Sequence, residues 1–340
     1  MKSPAVQPGG GRPPKTPADF EPAVRAAFGP ARRLAGVRRL AGGSKKGVYR
    51  LAFDDGFSVV GYIWDEGENY WPASNRPQAY DQRTDPFSDA SGAGLFETAH
   101  SVLTGLGVRV PELYLLDQTG AFGDFDLALV EHLRGGTLED RRRVDAPGAD
   151  EVMGRLAAAL ELMYGCRGDG FGKVGFPLLA GSCAQVVFDR ALDHLAEAAE
   201  VMPRIAVARS AVGERLRDLL ALVTERQCYR LVHGELGPDH VLVDDFGRPV
   251  IVDIEGLMFF DPEWEHAFLE LRFGEQYRKL GRDDLDQHRL RLYRLALSLS
   301  LAAGPMRLAD SDYPERDFMI EIAEYNAERV LSSIGATGVS

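Results

Sequence analysis

Two imidazoles and four of the six carboxylates in the segment LVHGELGPDHVLVDDFGRPVIVDIEG, residues 231–256, could do chemistry together: His233, Glu235, Asp239, His240, Asp253 and Glu255. The apolar runs Tyr229 to Val232, Val241 to Val243 and Pro249 to Val252 read as strands. A loop separates the first two, and an Asp-Asp-Phe-Gly turn at 244–247 separates the last two. Strand–turn–strand geometry returns the chain on itself, so the acids at 235, 253 and 255 are expected to converge on one edge. Convergent carboxylates beside loop imidazoles suit a divalent cation and a moving proton. Phosphoryl transfer needs both, because Mg²⁺ takes carboxylate oxygens together with substrate phosphates. The same donors are compatible with zinc or iron, but Gly234, Gly237 and Pro238 argue against the helix on which an HExxH zinc site is built. No GxSxG occurs, and no cysteine sits in a nucleophile motif.

The elements around this segment fall in two groups. A short helix is expected over 20–29, then strands over Val37 to Leu40, Val48 to Phe53 and Phe57 to Trp64, and a strand pair around 112–116 and 125–131. The stretch 65–92 is polar with aromatics and reads as an insertion or long loop. Leu95, Ala99, Val102, Leu103 and Leu106 recur at helical spacing between Gly94 and Leu106. After Gly135-Gly136 helices dominate: around 152–163, 184–201, 211–224, 263–280, 285–303 and 312–334. Asp261-Pro262 is expected to open the helix that follows the acidic segment, with Asp261 as its N-cap.

His233-Gly234-Glu235, His240 and Asp253-Ile254-Glu255 resemble the catalytic and metal loops of the aminoglycoside phosphotransferase and choline kinase family, small-molecule kinases with a protein-kinase-like fold. The family pattern is His-Gly-Asp, an Asn five residues after that Asp, and a strand ending Ile-Asp-Trp-Glu. This chain departs from it with Glu235 at the Asp and His240 at the Asn. The resemblance implies an α+β, two-lobed fold: an N-lobe antiparallel sheet with a helix over 20–133 and a mainly helical C-lobe over 134–335, after a disordered tail at 1–19. It implies ATP and Mg²⁺ as cofactors. Glu235 would orient the acceptor hydroxyl and take its proton, and His233 would buttress the loop. Asp253 would hold Mg²⁺, with His240, or Asp239 beside it, completing the shell. Glu255 would be a second-shell group, a contact to a substrate amine, or a solvent-facing acid. LALVEHLRGG resembles the linker where such kinases hold adenine, through the backbone at Glu131 and Leu133.

GGSKKG, between two expected strands, suits a phosphate-covering loop, with Gly43 and Ser44 bringing backbone N–H groups close. It is not a P-loop, since no helix follows. In kinases a third-strand lysine pairs with the α- and β-phosphates and with a helix glutamate. Here that strand, SVVGYIW, has no Lys or Arg, while Glu97 stands in the following helix. Lys45 or Lys46 is expected to reach in from the loop instead. The function implied is an ATP- and Mg²⁺-dependent phosphotransferase acting on a hydroxyl of a small polar, aminoglycoside-like molecule. The alternative is a pseudokinase that binds nucleotide or metabolite without transfer.

Composition is consistent with this. The chain has 340 residues, 45% hydrophobic and 26% charged, enough for a sizeable core. A formal net charge of −12 disfavours nucleic acid as a partner and suits a cationic small acceptor. No apolar run approaches membrane-spanning length. Three cysteines without paired spacing suit a reducing cytoplasm.

Overall fold

Alternation of apolar residues at 49, 51 and 53 gives a strand that buries one face, and its partner strand is buried along its whole length. In a computed structural model describing residues 12–71, 85–88, 90–144 and 148–335, these strands form the centre of a five-stranded antiparallel sheet. Its members are β1 (Leu34–Arg39), β2 (Gly47–Phe53), β3 (Ser58–Trp64), β4 (Leu113–Asp117) and β5 (Asp126–Glu131), in the order β1-β2-β3-β5-β4. Helix α1 (Pro17–Phe28) packs Phe20, Ala23 and Val24 against Tyr49, Leu51, Val59, Ile63, Leu127 and Leu129. Pro17 presets its first turn, and Asp19 accepts the Thr16 N–H at 2.6 Å.

The chain divides into two compact units. The first takes Met1–Arg76, Leu113–His132 and Gly304–Glu324; the second takes Pro77–Glu112, Leu133–Ala303 and Tyr325–Ser340. This differs from a single cut near 133. Helix α2 (Ala93–Gly105) groups with the second unit, and its neighbour in space is the turn at 254–256. Residues 304–324 return to the first unit, where Leu308, Ala309 and Met319 bury Tyr70. Residues 1–11 of the expected tail, and 72–84 and 89 of the expected long loop, lie outside the described residues.

The second unit holds α3 (Leu138–Arg143), α4 (Ala149–Gly165), α5 (Cys183–Val201), α6 (Pro203–Ala221) and α7 (Pro262–Phe273). The two-residue strands β6 (Arg167–Gly168) and β7 (Gly172–Lys173) join β8 (Tyr229–Val232) and β11 (Met258–Phe260) in a sheet ordered β6-β8-β11-β7. Between β8 and β11 lies the hairpin of β9 (Val241–Val243) and β10 (Pro249–Ile251). Helices α8 (Gln287–Ala309) and α9 (Arg316–Gly335) run to the end of the described chain.

Helix boundaries differ from the sequence reading where glycine or proline acts. Pro203 starts α6 eight residues before 211 because its fixed φ suits a first helical position. Gly274, at φ 55°, ends α7, and a 3-10 turn over Gly274–Lys279 replaces the rest of the expected 263–280 helix. Helix α8 continues through Pro305 instead of stopping at 303. Asp261 does occupy the N-cap position of α7, but its buried carboxylate makes no cap. It accepts from Arg289 and from the Tyr293 hydroxyl, each at 2.5 Å.

Candidate functional site

Register in the β9–β10 hairpin, Val241 opposite Ile251, places the residues just before β9 beside those just after β10. The Val252 N–H donates to the His240 carbonyl at 3.0 Å, so the chain at 253 lies next to the chain at 240. His240 Nδ1 lies 2.9 Å from the Glu235 carbonyl oxygen. A carbonyl only accepts, so Nδ1 carries the hydrogen and the neutral ring keeps its lone pair on Nε2. That nitrogen faces Asp239 Oδ2 at 3.7 Å and Asp253 Oδ2 at 3.8 Å. Two donors each about 2.1 Å from one ion sit about 3–4 Å apart, so this set suits a shared divalent cation. Among the described residues no group of three or more His, Cys, Asp or Glu side chains is placed to hold a metal ion, so His240 offers a pairing with one carboxylate or the other and not a complete protein shell. An ion here would complete its shell from a bound molecule's oxygens, as Mg²⁺ does with phosphates.

Asp253 adopts φ 61°, ψ 46°, the left-handed region, and is the one non-glycine residue with positive φ among those described. Burial would raise the Asp239 carboxyl, but His240 and Arg272, the latter at 2.8 Å, outweigh it and hold the carboxyl below its ordinary value. His233 is buried and lies parallel to His240, ring centres 5.9 Å apart. Its Nε2 is 3.0 Å from the Val252 carbonyl, and burial pushes its pKa down to about 4. That contact ties the loop to the strand end.

Glu235 is exposed and lines a cavity of about 80 Å³ together with Phe87, Arg190, His194, Trp264 and Phe268. The residue thus lines a cavity while its own carbonyl holds His240. Glu255 departs from the expected convergence. It is 3% exposed and does not line this cavity, because the 3-10 turn Ile254–Gly256 breaks the two-residue alternation that would put 253 and 255 on one face.

In the first unit the loop between β1 and β2 has the glycine geometry expected. Gly43 is at φ 75°, and a Cβ there would stand 2.7 Å from the Lys46 carbonyl oxygen. Ser44 is held twice: its carbonyl accepts the Tyr70 N–H at 2.8 Å, and its hydroxyl accepts the Trp71 indole N–H at 2.9 Å. Lys46 is 6% exposed, its ammonium 4.9 Å from the Tyr62 ring centre and 6.0 Å from that of Trp64 on β3. Lys45 lies 5.8 Å from the Trp71 ring centre. Glu131 ends β5 opposite Val59, Leu133 follows it, and Glu97 is exposed on α2.

A model of the phosphotransferase enzyme family matches residues 83–297, more than half of the chain. The chain belongs to that family. Among solved structures similar to this phosphotransferase-family chain is a thermostable mutant of aminoglycoside phosphotransferase APH(4)-Ia in ternary complex with ADP and hygromycin B. It has 16% identity and a TM-score of 0.63 over 95% of this chain and 100% of that one. Choline kinase LicA from Streptococcus pneumoniae aligns at 13% identity and a TM-score of 0.59, over 93% and 98% of the two chains. At these identities the likeness shows the kinase-like fold, an antiparallel N-terminal sheet and a helical C-terminal part. No curated protein sequence matches the chain.

Two residues that brace the phosphotransferase-family loop were not singled out from the sequence. Glu265 Oε2 accepts the Gly234 N–H at 2.6 Å, and the Trp264 indole donates to the Gly234 carbonyl at 2.9 Å, so neighbouring positions of α7 hold both backbone polar groups of one residue. Burial raises the Glu265 carboxyl to about 7 against the pull of the Gly234 and His233 backbone. Their signal was present in DPEWEHAF, where two acids, Glu263 and Glu265, flank Trp264 in the first turn of a helix, but sequence gives no partner for either.

Proposed function

We propose that this chain is an ATP- and Mg²⁺-dependent phosphotransferase acting on a hydroxyl of a small molecule. What carries the reading is Glu235: the residue lines a cavity while its backbone carbonyl orients His240, which faces Asp253. One residue thus connects a pocket for an acceptor with a donor set for a cation. In this reading Glu235 orients the acceptor hydroxyl and takes its proton as transfer proceeds. Asp253 and His240, with Asp239 beside them, hold the ion. A bound ion would supply positive charge against the charge that develops on the transferring phosphate. Lys46, carried against β3, supplies the phosphate-facing cation that β3 lacks, and Gly43 and Ser44 offer backbone N–H groups. The backbone at Glu131 and Leu133 receives adenine, and Glu97 is the helix acid of the kinase pattern.

Aminoglycosides are the first acceptor class to try, given the family. Arg190 is committed to Asp85 at 2.5 Å and stacks on Phe87, and Glu235 is the sole carboxylate lining the cavity. The aromatic lining of Phe87, Trp264 and Phe268 favours an acceptor with an apolar face beside its hydroxyl. The test is ADP release from ATP and Mg²⁺ across polar amines and neutral alcohols. Glu235→Gln is expected to lower turnover by about 10²–10⁴-fold with nucleotide affinity retained. Unchanged turnover would remove Glu235 from the chemistry. The lysine-free β3 favours the second reading, nucleotide binding without transfer. ATP binding by calorimetry with no acceptor-dependent ADP release would support it.

A further inference from the structure

The imidazole at position 240 changes which ion this site should prefer. Resting on the proposed phosphotransferase reading, we infer that His240 Nε2 is a direct metal ligand and that the site selects nitrogen-accepting first-row transition ions, Mn²⁺ and Co²⁺ among them, over Mg²⁺.

Three observations carry this. The Nδ1–H is already used on the Glu235 carbonyl at 2.9 Å, which fixes the ring orientation and leaves the Nε2 lone pair as the outward-facing atom. A backbone carbonyl behind the far ring nitrogen is how metal-bound histidines are commonly aimed. Nε2 then stands 3.7 and 3.8 Å from carboxylate oxygens of Asp239 and Asp253, a spacing that one ion can span and that a direct hydrogen bond would not leave. The two carboxylates are themselves held. Asp239 gives its other oxygen to Arg272 at 2.8 Å, and Asp253 sits in a left-handed backbone conformation.

The chemistry follows from donor type. Mg²⁺ favours oxygen donors and resists nitrogen, whereas imidazole raises affinity for first-row transition ions. An amide oxygen at position 240 would give an all-oxygen set. The imidazole substitutes nitrogen for one member and so shifts selectivity without altering either carboxylate.

The experiment loads the full-length protein with Mn²⁺, alone and with the β,γ-methylene analogue of ATP, and records electron spin-echo modulation from ¹⁴N. Mn²⁺ and Mg²⁺ affinities are measured by calorimetry on the same samples. Wild type is expected to show imidazole ¹⁴N coupling that is absent in His240→Asn. The ratio of Mn²⁺ to Mg²⁺ affinity is expected to fall about tenfold or more in that variant, which keeps an oxygen donor at the position. Coupling with Mn²⁺ alone, in protein that binds no nucleotide analogue, would keep this inference and remove the phosphotransferase reading. Nucleotide-dependent Mn²⁺ binding without ¹⁴N coupling, or an equal ion ratio in wild type and His240→Asn, would overturn the inference and leave that reading intact. Failure of Mn²⁺ to bind under either condition would overturn both.

Discussion

At residue 253 a non-glycine backbone adopts the left-handed region, and its side chain faces His240. Glycine adopts the same φ without penalty. Asp253→Gly is therefore expected to raise stability by about 1 kcal/mol and to abolish cation-dependent nucleotide binding. Urea unfolding and calorimetry on the same preparation check both halves. A variant less stable than wild type would mean that the carboxylate holds the loop and that strain is not its main contribution. Residue types at 233, 235, 240 and 253 were legible because imidazole and carboxylate chemistry is intrinsic to the side chain. The inward turn of Glu255 was not, since it depends on one 3-10 turn that overrides the strand alternation. Nor was the choice between Lys45 and Lys46 legible. Adjacent lysines are equivalent as letters, and only the start of β2 decides which one is carried over Tyr62.

The loop between β1 and β2 and the α7 contacts to Gly234 set the behaviour of their elements. Lys46→Ala is expected to weaken nucleotide affinity about tenfold, with Lys45→Ala nearly neutral, read by calorimetry. Equal losses would show that neither lysine has a privileged position. For α7, burial raises the Glu265 carboxyl from 4.5 to about 7. The folded state therefore binds that proton more tightly than the unfolded chain does. The resulting stabilisation is complete below about pH 4.5 and is lost as pH rises through about 7. His233, lowered from 6.5 to about 4, has the opposite sign and loses its contribution as pH falls through that window. Comparing wild type with Glu265→Gln cancels His233. The stability difference is expected to shrink by on the order of 3 kcal/mol between about pH 4.5 and 7, measured by thermal unfolding. A flat difference would mean that Glu265 is ionised throughout. The strands and long helices were readable from periodicity, but β6 and β7 are two residues each, and β11 and α3 lack a periodic run long enough to register.

Across the whole molecule, one unit is assembled from three separate stretches of chain. Met319 lies 299 positions after Phe20, yet both are buried in the first unit, in separate clusters. Met319→Ala should cost about 2–5 kcal/mol and speed amide exchange in β2 and β3 before exchange in β8 and β11. Simultaneous loss of protection in all four strands would show that the units unfold together. The strand-rich then helix-rich order of the chain made the fold class legible. Return of 304–324 to the first unit was not, because a helix pattern records which face is apolar and not which surface covers it.

The chain contains three tryptophans. Trp64 lies beneath Lys46, Trp71 donates to Ser44, and Trp264 donates to Gly234. Every indole in the protein is thus tied to a segment that nucleotide or acceptor would approach. If the proposed function holds, ultraviolet emission, ordinarily an average over a whole protein, would become a dye-free optical gauge of site occupancy. Phenylalanine at one of these positions at a time would assign each part of the signal to its own segment.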